Sequence, residues 1–168
     1  GWTSIETTGV LDLGVGSMDS LQILLLEAGE CLVDNVEVLS QGTGANLLAN
    51  PGFESGLAPW VARGDHVRSS LETTEGFDST QSLHVRASNQ GDTGVNCIRS
   101  PIPRSSLLVP GETATLRARV RWLRGFPEIV VRLKGNYLEA TGRMLIPAKL
   151  GTPGLTNRRA VANERPAV

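Results

Sequence analysis

A stretch of strict alternation between residues 113 and 122 constrains the fold more than any other feature of this chain. The apolar side chains on one side are Ala114, Leu116, Ala118, Val120 and Trp122, and those on the other are Thr115, Arg117, Arg119 and Arg121. Successive side chains of a β-strand point to opposite faces, so a period of two is typical of a strand. The stretch predicts a strand with one buried face and one face in solvent.

The residues after this stretch predict further strands. Residues 129–134 alternate apolar with mostly basic side chains after a turn at 124–128. Together the two stretches predict an antiparallel hairpin with one apolar and one basic face. Residues 82–87 alternate in the same way, and residues 137–146 predict one more strand, with Gly142 at a bulge.

The first 41 residues also carry strand signals and no clear helix. Residues 21–26 are a short apolar run, and a second run at 31–39 follows the turn at 27–30, which predicts another hairpin. The chain has 19 Gly and 9 Pro, which favour strands joined by turns. We therefore expect an all-β fold, an antiparallel sandwich of two sheets.

Charge and hydropathy exclude several classes of function. The net charge is −1, so no overall field attracts nucleic acid or an anionic membrane. The longest apolar run, 21–26, is far too short to cross a bilayer, so we expect no membrane insertion. The chain lacks an initiator Met and a signal segment, so we expect it to be a piece of a longer protein.

Two segments carry a family resemblance. Residues 46–60 read Asn-Leu-Leu-Ala-Asn-Pro-Gly-Phe-Glu-Ser-Gly-Leu-Ala-Pro-Trp, which resembles the opening strand of jelly-roll, galactose-binding-like carbohydrate-binding modules. Residues 29–38, with Asp34-Asn35-Val36, resemble the closing strand of the same modules. The resemblance implies a jelly-roll sandwich without catalytic activity, carried by a large secreted or cell-surface bacterial protein of many domains.

These two segments stand in reversed order, which leaves two domain arrangements open. In one, residues 1–41 are the C-terminal strands of a preceding module, 42–45 is a linker, and 46–148 is a complete sandwich. In the other, both parts close into one permuted sandwich, since the termini of such folds often lie close together. Residues 150–154 are turn-forming and residues 157–168 are polar and basic without a period, so we expect a loose tail or linker over 149–168.

The resemblance also implies a structural calcium ion. The family's ligands include the Glu of the Phe-Glu step and the Asp of the last strand, which here are Glu54 and Asp34. Carboxylate oxygens suit this hard cation. The two residues lie on opposite sides of the linker, so a truncated neighbour would leave the ion with half its shell. The alternative is that Glu54 caps a turn or is solvated.

Candidate glycan-binding residues are of two kinds. Sugars stack on exposed aromatic rings, but aromatic residues make up only 4% of the chain, and we expect Phe53, Trp60 and Trp122 to be in the core. Arginines on a sheet face bind carboxylates or sulfates, which points to an acidic polysaccharide. The predicted ligand-binding residues are Arg117, Arg119, Arg121, Arg132, Lys134, Phe126 and Tyr137. The alternative is a solvated face whose arginines pair with Glu112, Glu128 or Glu139.

The sequence carries no catalytic constellation. His66 and His84 are isolated, no motif sets two carboxylates opposite each other, and no phosphate-binding loop or nucleophile elbow is present. Cys31 and Cys97 lie in apolar runs, and we expect both to be buried rather than bridged. We expect a binding module, not an enzyme, whose partners are a glycan or neighbouring domains and whose location is extracellular or on the cell surface. A structural spacer or adhesion module without a sugar site is the alternative.

Overall fold

The computed structural model describes residues 1–13 and 16–144, so the predicted tail at 149–168 and the last residues of the predicted module lie outside it. Ten strands form within these residues: β1 Thr3–Val10, β2 Ser20–Leu25, β3 Gly29–Ser40, β4 Val61–Ala62, β5 Ser70–Glu72, β6 Ser82–Ala87, β7 Ile98–Pro101, β8 Thr113–Gly125, β9 Glu128–Leu133 and β10 Glu139–Arg143. Short 3-10 helices lie at Gly64–His66 and Ser105–Leu107.

The strands form two antiparallel five-stranded sheets that pack face to face. Sheet I has the order β1-β8-β3-β6-β5, and sheet II has the order β10-β9-β2-β7-β4. Consecutive strands change sheet along much of the chain, as in a jelly roll. The predicted all-β, two-sheet sandwich is confirmed. No helix among the described residues is long and apolar enough to cross a membrane.

The first 41 residues supply central strands of both sheets. β3 pairs with β6 and β8 in sheet I, and β2 pairs with β7 and β9 in sheet II. The segment 42–45, which joins β3 to the rest of the chain, is a mostly exposed turn. The parts of the chain on either side of 42–45 are therefore hydrogen-bonded into one sandwich in this structure.

Both predicted hairpins are wrong, because each turn carries the chain from one sheet to the other. β8 lies in sheet I and β9 in sheet II, and β2 and β3 are divided in the same way. The two corners pack on each other: Phe126 N–H donates to Ala28 O at 3.1 Å, and Gly125 has a positive φ of 84°. A side chain on Gly125 would meet Gly29 Cα and Ala28 O, so the close corner requires glycine.

Residues 46–60 form turns, so the predicted opening strand is wrong. Asn50 and Phe53 have positive φ values of 48° and 59°, which no regular strand accepts. The Asn46 side chain substitutes for a paired strand beside a bulge in β3: Val38 N–H donates to Asn46 Oδ1 at 3.0 Å, and Asn46 Nδ2 donates to Val36 O at 2.8 Å. Side-chain amides of this kind offer the backbone an alternative to a ladder.

The core between the sheets contains the aromatic residues that the sequence placed there. Phe53 and Trp60 are buried with ring centroids 5.3 Å apart, and Trp122 is buried on β8. Cys31 and Cys97 are buried and unbridged, as predicted. Gly142 pairs in regular register with Ile129, so the predicted bulge is wrong. A side chain at Gly142 would instead meet the Ile5 and Met144 side chains, and close approach explains this glycine.

Candidate ligand-binding site

The predicted ligand-binding residues do not share one face. Arg117, Arg119 and Arg121 lie on β8 in sheet I, whereas Arg132 lies on β9 in sheet II. The remaining predicted residues are Lys134 and Tyr137, which follow β9 at sheet II, and Phe126, which is half-buried at the corner between the sheets. The continuous basic face expected from the sequence does not form, because the β8–β9 connection changes sheet.

On sheet I the arginines are already satisfied by groups of the same chain. Arg117 Nε donates to Glu6 Oε2 at 2.8 Å, and its guanidinium also contacts the Glu37 carboxylate. The Arg119 guanidinium lies 4.4 Å above the centre of the Phe77 ring, a cation–π contact. Arg121 forms an ion pair with Glu75. Arg117 and Arg121 are therefore paired within the chain, as in the alternative given by the sequence. Their partners are Glu6, Glu37 and Glu75, and not Glu112, Glu128 or Glu139.

The outer face of sheet II has a different row of side chains. Gln22 on β2 stands opposite Arg99 on β7 and Arg132 on β9 in the strand register. Side chains opposite each other on neighbouring strands are about 5 Å apart at Cβ, so the amide lies between two guanidinium groups. Gln22 is fully buried, with 0% of its surface exposed, although it points away from the main core.

The loop between β6 and β7, residues 88–97, buries this amide. Gln22 Nε2 donates to Thr93 O at 2.9 Å, and Arg99 Nη2 donates to Gly94 O at 2.7 Å. The Asp92 carboxylate holds the loop in shape by accepting N–H bonds at 2.8–3.0 Å, including those of Gly94 and Asn96. These bonds, first that from Asn96, hold the pKa of Asp92 well below its usual range.

His66 lies against both the end of β2 and Gly91 of this loop. Its Nε2 accepts the Leu25 N–H at 3.0 Å, its Nδ1 lies 2.5 Å from Asp65 Oδ1, and Leu25 O accepts the Gly91 N–H at 2.8 Å. His66 is fully buried, and burial lowers its pKa against the raising effect of Asp65 and Asp92. The imidazole is therefore a neutral structural group, with its proton on Nδ1.

Two adjoining cavities open over the row on sheet II. The larger, about 490 Å³, is lined by Arg63, Arg99, Val61 and Asp19, among others, and the smaller, about 270 Å³, by Gln22, Arg132, Thr93 and Tyr137, among others. Lys134 lines both cavities. We call the two cavities and the row between them the sheet II groove.

The floor of the groove has unmet hydrogen-bonding capacity. Gln22 Oε1, Arg99 Nε and Arg132 Nε are buried and have no hydrogen-bond partner within the described residues. The nearest carboxylate oxygen to Arg132 Nε, Glu139 Oε1, is 3.6 Å away, which is beyond a hydrogen bond. A ligand that offers both acceptors and a hydroxyl donor would satisfy these atoms, since buried polar groups are almost always paired.

A third cavity, of about 350 Å³, lies at one end of the sandwich and is less suited to a charged ligand. Glu30 on its wall lies 3.0 Å from Arg124 and 3.4 Å from Arg86. The charges there largely neutralise one another, which distinguishes this cavity from the sheet II groove.

Gln22, Arg99 and Arg63 were missed by the sequence analysis. Gln22 had a visible signal, because it is the one polar side chain within the apolar run 21–26. A lone amide inside a doubly covered strand needs a polar partner on one face, and so points to a loop or a ligand there. Arg99 and Arg63 had no such signal, because only the fold brings β7 beside β2 and β4 beside β7.

The structure brings Asp34 and Glu54 to one place despite their separation in sequence. A methyl group on Gly52 would lie 3.5 Å from Asn35 Oδ1, 3.7 Å from Asp34 Oδ1 and 3.9 Å from Glu54 Cγ, so three side chains surround one point. Asp34 Oδ2 also accepts the Phe77 N–H at 2.8 Å. Burial raises the pKa of Asp34, and the Glu54 charge adds to this rise.

The oxygens around Asp34 are of the hard type that calcium prefers. Within the described residues, however, no group of three or more His, Cys, Asp or Glu side chains is arranged to hold a metal ion. Any ion at this point would draw on the Asp34 and Glu54 carboxylates together with neutral oxygens such as Asn35 Oδ1.

Comparison of the chain with protein-family models, curated proteins and solved structures gives no match. The candidate sites therefore rest on the geometry of this chain alone.

Proposed function

We propose that this chain is a non-catalytic carbohydrate-binding module that holds a glycan in the sheet II groove. The observation that carries the proposal is the buried Gln22 amide, whose Oε1 lacks a donor on the floor of the groove. A sugar hydroxyl is both donor and acceptor, so a polyhydroxylated chain can satisfy Gln22 Oε1 and neighbouring N–H groups together. Specific polar groups in a concave site are the usual way to fix a ligand's orientation.

Tyr137 supports a sugar ligand in particular. It lines the smaller cavity and is 76% exposed, which makes it the most exposed aromatic residue among the described residues. Its backbone N–H donates to Asp12 Oδ2 at 3.1 Å, which ties the segment to the N-terminal part of the chain. An exposed ring beside hydrogen-bonding groups suits the apolar face of a sugar.

We also propose that calcium stabilises the Asp34 cluster. A cation at this point would offset the mutual repulsion of two carboxylates and the cost of burying Asp34. Asp34 and Glu54 would supply the charged oxygens. The ion would have a structural role, because the cluster adjoins the outer face of sheet I and not the sheet II groove.

The parent of such a module would be a secreted or cell-surface protein, with neighbouring domains as further partners. A spacer or adhesion module without a sugar site is the second candidate. It is favoured by the outer face of sheet I, where Arg117 and Arg121 are neutralised within the chain and leave no evident ligand site.

Affinity electrophoresis against neutral and acidic polysaccharides separates the two candidates. We expect at least one glycan to retard the protein, and Tyr137→Ala to reduce the retardation because it removes the exposed ring. Arg121→Gln, on the opposite face, is the matched control and should migrate with the wild type on that glycan. Absence of retardation on every glycan would leave the spacer as the surviving candidate.

A further inference from the structure

The two outer faces of the sandwich differ in how far their positive side chains are paired with groups of the same chain. On sheet I each of the four arginines of β8, Arg117, Arg119, Arg121 and Arg124, has a carboxylate or an aromatic ring as its partner. Around the sheet II groove, Arg63, Arg99 and Lys134 have no carboxylate within 4 Å among the described residues, and Arg132 has Glu139 at 3.6 Å. The groove therefore holds more cations than the chain itself neutralises.

We propose that the sheet II groove selects a polyuronate, a glycan chain with a carboxylate on its repeating sugars. This inference rests on the proposed glycan-binding function and adds the chemical class of the ligand. The uronate carboxylates would pair with the half-buried guanidinium groups of Arg99 and Arg132 and with the exposed Lys134, and a ring hydroxyl would donate to Gln22 Oε1. Charge-assisted hydrogen bonds from arginine to a carboxylate are about twice as strong as neutral ones.

The spacing of the two arginines favours a polymer over a single sugar acid. β7 and β9 lie on either side of β2, and neighbouring strands are about 4.8 Å apart, so the two strands are about 10 Å apart. This separation favours one carboxylate for each arginine over a single carboxylate shared by the two. A chain with charges on separate sugars can reach both, and Lys134 stands where the two cavities meet.

Two carboxylates limit the positive charge of the groove. Asp19 lines the larger cavity, and Glu139 stands beyond Arg132 in the cross-strand row. Four cations against these two carboxylates, with Asp12 beside Tyr137 as a third, leave the groove positive. The two acidic side chains also give it a means of rejecting densely charged anions, because like charges disfavour close approach.

A pair of ligands that differ only in charge tests the proposal. Isothermal titration would compare polygalacturonate with the same polymer after reduction of its carboxyl groups, at low and at raised salt. We expect the native polymer to bind at least about tenfold more tightly, and added salt to remove most of the difference. Monomeric galacturonate should not compete at concentrations at which the polymer saturates the groove.

Variants on the two faces locate the effect. Arg99→Gln, Arg132→Gln and the exposed Lys134→Ala should each weaken polyuronate binding by about tenfold, as expected for one lost charge-assisted bond. Arg117→Gln and Arg121→Gln on sheet I should leave it unchanged. A melting curve for each variant identifies any that fail to fold, and Lys134→Ala tests the groove without touching a buried atom.

The possible outcomes separate the two proposals. Equal binding of native and carboxyl-reduced polymer would overturn the polyuronate inference and leave the glycan-binding function standing. Equal or tighter binding of dextran sulfate would overturn selectivity for carboxylates. Failure of every glycan to bind would remove both proposals together.

Discussion

Gln22 is the residue on which the binding groove depends. A buried acceptor without a partner lowers the free energy of unfolding by about 1–3 kcal/mol. Gln22 Oε1 is such an acceptor, on a strand whose other residues are mostly apolar. Its Nε2 is satisfied by Thr93 O, which shows that one half of the amide is fixed by the protein. The other half faces Arg99 and Arg132, and a ligand hydroxyl would recover the cost.

His66 makes the fold sensitive to acid. Its folded-state pKa lies below the unfolded value of about 6.5, so stability is lost as the pH falls below 6.5 towards the folded pKa. Protonation at Nε2 would put a donor against the Leu25 N–H. We expect wild type to lose roughly 1 kcal/mol more than His66→Gln between pH 7.5 and 5.5 in urea unfolding.

Gln at this position keeps an acceptor for the Leu25 N–H but does not titrate. His84 also has a pKa lowered by burial, so the His66→Gln variant should still lose some stability as the pH falls. Equal losses in wild type and His66→Gln would show that the neutral imidazole does not set the acid response.

The Asp34 cluster predicts stabilisation by calcium. Excess calcium should raise the melting temperature over the same protein in chelator, by an amount that corresponds to about 2.7 kcal/mol at a hundredfold excess over Kd. Asp34→Asn and Glu54→Gln should each abolish the rise, because each removes one of the two charged ligands. Glu37→Gln, on the same strand as Asp34 but paired with Arg117, should keep it. A rise that survives in Asp34→Asn would place the ion elsewhere.

At the scale of elements, the loop 88–97 converts the outer face of sheet II into a groove. It covers the small apolar cluster of Leu24, Cys97 and Val130, and it supplies the carbonyl groups of Thr93 and Gly94. Asp92 organises the loop from within, and the Gly91 N–H, which donates to Leu25 O beside His66, fixes it to the end of β2. The groove is therefore built on a scaffold that is already ordered by its own hydrogen bonds.

Gly91 is the tightest point of this loop. A side chain there would lie 2.8 Å from Leu24 Cβ and 2.8 Å from His66 Cε1, so any larger residue must push the loop off the sheet. We expect Gly91→Ala to cost about 1–3 kcal/mol in urea unfolding and to weaken glycan binding. Gly94→Ala, in the same loop with 3.4 Å to its nearest atom, should be close to wild type in both. Equal effects of the two substitutions would contradict this account of the loop.

Strands could be predicted from the sequence far better than their connections. The alternation at 113–122 and 82–87 gave β8 and β6, because burying one face imposes a period of two. A turn between two such strands has the same residues whether it closes a hairpin or crosses between sheets, so the β8–β9 and β2–β3 corners were mistaken for hairpins. The groove could not be predicted either, because the row of Gln22, Arg99 and Arg132 joins three strands that are distant in sequence.

At the scale of the whole molecule, the fold is one sandwich made from both sides of the segment 42–45. β2 and β3 each have neighbours on both sides that come from residues after 45. The charge is divided as well: the chain is nearly neutral overall, but the arginines of β8 in sheet I are paired, whereas Arg63, Arg99 and Lys134 at the sheet II groove have no carboxylate within 4 Å among the described residues. Composition could not reveal this division, because it depends on which strands share a sheet.

A cut in the segment 42–45 should therefore leave the sandwich intact. The segment is mostly exposed, so a protease site inserted there can be cleaved in the folded protein. We expect the two fragments to elute together in gel filtration and to separate only in denaturant. The opposite result, a folded fragment from residue 46 onward with residues 1–41 released, would contradict the single sandwich.

The most direct test of the binding account is a nitrogen-15 amide NMR titration with short polygalacturonate oligosaccharides. We predict chemical shift changes at Gln22, Arg99, Arg132 and Lys134 and in the loop 88–97, with β8 of sheet I unaffected. Changes confined to sheet I, or no change at any concentration of the oligosaccharides, would contradict the assignment of the sheet II groove as a polyuronate site.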